Sequence, residues 1–139
     1  MFRKILLAYD GSETAQKAAD HAAALATAFD ATILLLYAYH PVPRHWSEAL
    51  RAKAIQEEAS EANMLLGKEA ERLRAQGARV ECEMVEGLAH EVILRAARMR
   101  DCDLIVIGST GLGSASTFLL GSVSDRVVHR AHCPVLVIR

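Results

Sequence analysis

Three short, almost unbroken apolar runs constrain this chain most: Lys4–Tyr9, Thr32–Ala38 and Asp103–Ile107. Each has strand length and no polar alternation, so each needs cover on both faces, as strands of a parallel sheet do. Parallel neighbours cannot be joined by a tight turn and need a crossover, usually a helix. The sequence between the runs supplies helical periods. Ala15, Ala18, Ala19, Ala22, Ala26 and Phe29 recur at helical spacing and make a small-residue face that can lie close to a sheet. From about Ser47 to Gln76, Ile55, Ala59, Ala62, Leu66, Ala70 and Leu73 mark one face, the charged residues read as a solvated face, and Gly77 is a stop. Arg79–Val85 alternates polar and apolar, as a strand with one wet side near a sheet edge does. Ala89, Val92, Ile93, Ala96 and Ala97 mark a further helix; Val123, Val127, Val128 and Ala131 mark the last one. Cys133-Pro-Val-Leu-Val-Ile138 is a final strand.

This alternation predicts one α/β domain over residues 1–139, an open parallel five-stranded sheet with helices on both faces. In such sheets ligands bind beyond the C-terminal strand ends, where strand order reverses. Asp10, Ala38 and Gly108 all fall at such ends, so they are expected at one crevice. Asp10 or Ser12 caps the first helix, and Ser122-Val-Ser-Asp125 fits a capping box at the last.

The stretch after the third run is rich in glycine and hydroxyls. Gly108, Gly111, Gly121 and Ser122 have the spacing G-x2-G-x9-G-S. Glycines let backbone N–H groups approach an anion, and helix N-terminal N–H groups lack partners, so strand, loop and helix can cradle phosphate. The same residues also serve as ordinary turn formers. No Lys-Ser or Lys-Thr pair follows the glycines, so this is not a Walker loop. Gly111-x-Gly113-x-x-Ser116 is an incomplete dinucleotide fingerprint in the wrong part of the chain.

Bulk composition narrows the classes. With 16 Lys and Arg against 17 Asp and Glu, net charge is −1, which gives no electrostatic case for nucleic acid or an anionic membrane. No apolar run approaches the roughly 20 residues that span a bilayer, and Met1–Ala8 reads as a strand and not a secretory signal. The three cysteines, Cys82, Cys102 and Cys133, are widely spaced and are expected to be reduced and buried in a cytoplasmic protein. His129-x-x-His132 lacks the further ligands of a metal site and reads as a surface pair. Ser109, Ser114 and Ser122 have no identifiable base, so no catalytic site is expected. Val42 and Trp46, in a proline-broken loop, either pack locally or cover a ligand or partner.

The chain resembles the universal stress protein family. The likeness rests on Ala8-Tyr-Asp-Gly-Ser12, on the G-x2-G-x9-G-S spacing that marks the family's ATP-binding branch, and on the ending His132-Cys-Pro-Val-Leu-Val137. It implies a Rossmann-like sheet of order 3-2-1-4-5, binding of ATP or another adenine nucleotide between strands 1 and 4, and a role in stress response. It also implies a homodimer joined through Val135–Ile138, with an unknown protein partner. By the same resemblance, Asp10 matches the acidic position near the adenosine, and Ala8 and Ala38 line the base slot, to which Ile107 adds an apolar wall. Gly108 and Gly111 match the ribose and phosphate approach. Gly121, Ser122 and Val123 match donors to phosphate, and Tyr9, Ser109 and Gly113 complete the candidate set.

One departure stands out. From Asp101 to Asp125 there is no lysine or arginine, whereas many relatives carry a basic residue or histidine there. Phosphates would therefore depend on amides, the helix dipole and Mg²⁺ held by the phosphates themselves, with closure of the loop Ser109–Leu120 as a possible switch. The other readings are a homodimeric interaction protein that no longer needs nucleotide and a slow ATPase.

Overall fold

The computed structural model describes residues 1–110 and 120–139. Five strands, β1 (Lys4–Ala8), β2 (Thr32–Tyr39), β3 (Arg79–Glu86), β4 (Leu104–Gly108) and β5 (Val135–Ile138), form one sheet of order β3-β2-β1-β4-β5. All neighbours are parallel. The crossovers are α1 (Glu13–Phe29), α2 (Glu48–Ala75), α3 (Ala89–Met99) and α4 (Ser122–Arg130). Order 3-2-1-4-5 thus stands as read, with the reversal between β1 and β4.

Successive side chains of a strand face opposite sides. Ile5, Leu7 and Tyr9 pack under α1 and α2, against the alanine face Ala15, Ala18, Ala22 and Ala26. Leu6 and Ala8 face α3 and α4, with Val92, Ile93 and Val127. The covered runs are almost fully dry; Ile5, Leu6, Leu7, Ile33 and Leu35 are all 0% exposed.

The structure corrects several local expectations. Phe29 is not part of the alanine face; it is exposed and meets Phe2 edge-on at 5.3 Å between ring centres. Asp30, with positive φ, ends α1, while Gly77, also with positive φ, follows α2 as the expected stop. Only Cys102 of the three cysteines is buried, while Cys82 is exposed on edge strand β3 and Cys133 lies between these extremes. Val128 turns outward, and the buried positions of α4 are Ser124 and Val127. The α2 charges are not all solvated. Glu69 is buried, takes hydrogen bonds from Arg72, and shares that arginine with Asp20 of α1. A buried carboxylate is tolerated only when so paired.

Candidate functional site

The C-terminal ends of β1, β2 and β4 and the first turns of α1, α3 and α4 enclose a cleft of about 480 Å³. Its apolar walls include Ala8, Ala38 and Ile107, and the small side chains at Ala8 and Ala38 leave the slot open. Asp10 stands at the exit of β1. Its Oδ1 accepts from the Ser12 N–H at 2.9 Å, closing a tight turn, while the Ser12 hydroxyl caps α1 by accepting from the Ala15 N–H at 3.2 Å. Ser12 is therefore the cap and Asp10 is not. Asp10 is held at the rim, and as an acceptor it suits hydroxyl or amino donors.

The opposite wall is the start of α4. Gly121 occupies the cap position, no side chain caps the helix, and the first helical bond runs from the Asp125 N–H to the Gly121 carbonyl. The capping box expected from Ser122 and Asp125 does not form, because Ser122 is already inside the helix. The N–H groups of Ser122, Val123 and Ser124 thus precede the first helical bond, on residues that line the cleft. The helix dipole adds roughly half a positive charge there.

Two fasteners aim this helix end. Ser124, 3% exposed, donates its hydroxyl to the Gly108 carbonyl at 2.6 Å. The Gly121 N–H donates to the Ser109 carbonyl, whose own N–H donates to Ile138, both at 2.7 Å. A third contact ties the α1 start to the same exit, from the Thr14 hydroxyl to the Thr110 carbonyl.

Ala8, Tyr9, Asp10, Ala38, Ile107 and Gly108 meet at the cleft with Gly121, Ser122 and Val123. Ser109 does not line it; it is buried and joins β5 to α4 through its backbone. Gly111 and Gly113 lie outside the described residues. The phenol of Tyr9 is committed elsewhere, since its hydroxyl donates to Glu69 Oε2 at 3.2 Å, and burial, reinforced by that carboxylate, pushes it up to about 12. Glu58, Tyr37, His40 and Ser124 also line the cleft and were not anticipated. Glu58 was legible, because it lies on the stripe carrying Ile55 and Ala62, which faces inward. Burial raises the Tyr37 phenol, and the charges of Glu58, Asp10 and Glu61 raise it further. Among the described residues no lysine or arginine lines the cleft.

Fold and site together define a doubly wound parallel α/β protein with a ligand-sized cleft at its switch point. Residues 1–139 match the model of the universal stress protein family, and the chain belongs to that family. It is 41% identical over 140 residues to a universal stress protein of Thermus aquaticus, with both chains covered in full. It is 36% identical to the universal stress protein MJ0531 of Methanocaldococcus jannaschii, covering 100% of this chain and 83% of the relative. Among solved structures, MJ0577 of the same organism superposes with a TM-score of 0.91 at 30% identity, covering 99% of this chain and 96% of that one. A universal stress protein solved in complex with cAMP superposes at 0.80 with 26% identity, over 99% and 97%.

Proposed function

We propose that this chain is a nucleotide-dependent stress-response module that binds an adenine nucleotide, ATP with Mg²⁺, in the β1/β4 cleft. One observation carries the reading: a small apolar slot, a fixed acceptor at Asp10 and the uncapped start of α4 share one cleft. Ala8, Ala38 and Ile107 suit a flat base, Asp10 suits ribose or amino donors, and the amides of Ser122 and Val123 suit a phosphate. A relative of the same fold, solved with cAMP, supports an adenine ligand. Among the described residues no group of three His, Cys, Asp or Glu side chains is placed to hold a metal ion, so Mg²⁺ would come with the phosphates.

The module works by binding and not by turnover, in the cytoplasm, with a protein partner that reads the bound state. Among the described residues no helix is long and apolar enough to cross a membrane. A homodimer through Val135–Ile138 belongs to the same reading. β5 is an edge strand of four apolar residues, three of them only half-buried, and a second copy would cover an edge otherwise open to uncontrolled pairing.

Thermal unfolding tests the binding claim. A ligand of the native state raises the midpoint by mass action. Mg-ATP at millimolar concentration is expected to raise it for the wild type and not for Gly121→Val, which adds a branched side chain at the cap position of α4, beside the amides offered to phosphate. No response in either protein would replace this reading with the nucleotide-independent dimer.

A further inference from the structure

The cleft brings negative charge of its own. Asp10 and Glu58 both line it, and among the described residues His40 is the one histidine, lysine or arginine that does. Residues 111–119 contain no charged side chain at all, so the rest of the glycine loop adds no cation. Among the described residues no lysine or arginine lines the cleft: on α2, Arg72 pairs with Glu69 and Asp20 and Arg51 is not a lining residue, and on α4 Arg126 is not one either. Burial first, and then the charges of Glu58, Asp10 and Glu61, raise the Tyr37 phenol. Among the described residues, a phosphate facing these two carboxylates meets the amides of α4 and about half a positive charge.

We propose that this site selects adenine ligands by low charge. A nucleoside or its monoanionic cyclic phosphate binds more tightly than a free mono- or triphosphate, and the triphosphate enters only as its magnesium complex. The proposal rests on the adenine-binding reading above and narrows its ligand class. Base and ribose contacts at Ala8, Asp10 and Ala38 supply the affinity. Each further negative charge on the ligand meets Asp10 and Glu58 in the same cleft, and that repulsion is expected to cost about fivefold in affinity per charge.

The test is calorimetric titration of the full chain with adenosine, cyclic AMP, AMP, ATP in EDTA, and ATP with excess Mg²⁺. Adenosine is expected to bind most tightly, cyclic AMP about fivefold more weakly, AMP about fivefold more weakly again and ATP in EDTA weakest, with Mg²⁺ restoring most of that loss. Raising NaCl from about 50 to about 300 mM is expected to tighten ATP binding in EDTA, because screening relieves repulsion. Glu58→Gln is expected to tighten ATP in EDTA several-fold and to change adenosine less than about twofold. Tightest binding of ATP in EDTA, or an affinity for it that falls steeply with salt in the wild type, would overturn charge selection while leaving adenine binding intact. Absence of heat with every adenine compound would overturn both readings at once.

Discussion

Gly108 carries a constraint that its spacing in the sequence does not show. Its spacing marks it as a close approach to ligand, yet the neighbour that forbids a side chain is internal. A Cβ there would stand 2.6 Å from Thr14 Oγ1 and 2.9 Å from Thr14 Cβ. Gly108→Ala is expected to cost about 1–3 kcal/mol in urea unfolding without any nucleotide, and Thr14→Ala added to it recovers part of that loss, as a double-mutant cycle would read. Tyr9 makes a prediction in pH. Its folded-state value of about 12 exceeds the ordinary 10.0, so the neutral phenol is favoured by folding. The stability this gives is complete below about pH 10 and is lost as pH rises toward about 12. Tyr9→Phe removes that part of the alkaline slope, seen as converging urea midpoints of the two proteins as the pH climbs through this window. Neither Thr14 nor Glu69 could be paired with its partner from sequence, because each lies far from it in the chain and only the packed helices bring them together.

At the scale of elements, legibility followed hydrophobic period. The runs of β1, β2 and β4 could only be strands covered on both faces, and the alanine face of α1 could only pack closely on them. α4 was harder. Its apolar pattern is short, and Val128 mimics an inward residue while Ser124 is the one that faces in. A buried serine is invisible to a hydrophobic pattern, since its reason for burial is a carbonyl at the end of β4. Ser124→Ala leaves the Gly108 carbonyl without its donor and is expected to cost about 1–2 kcal/mol by denaturant unfolding. It also loosens the aim of α4, so Mg-ATP affinity falls several-fold while adenosine affinity holds. Equal losses for both ligands would show a general role in folding instead.

At the scale of the molecule, sheet order 3-2-1-4-5 does the essential positioning. It sets β1 beside β4, so crossovers diverge to opposite faces and leave a crevice between their first turns. That crevice gathers residues from the exits of β1, β2 and β4 and from the start of α4, which is why the site's membership was legible from strand ends while its charge balance was not. Glu58 enters from the middle of the longest helix, and its meaning depends on where that helix lies. The central claim is that the uncapped start of α4 receives phosphate while the β1–β2 side receives the base. Backbone amide NMR during titration with adenosine and then with Mg-ATP tests it most directly. Shifts are expected at Ala8, Asp10 and Ala38 with both ligands, and at Ser122 and Val123 only when phosphates are present. Shifts at Ser122 and Val123 that are the same with adenosine, or absent with Mg-ATP while another surface responds, would contradict it.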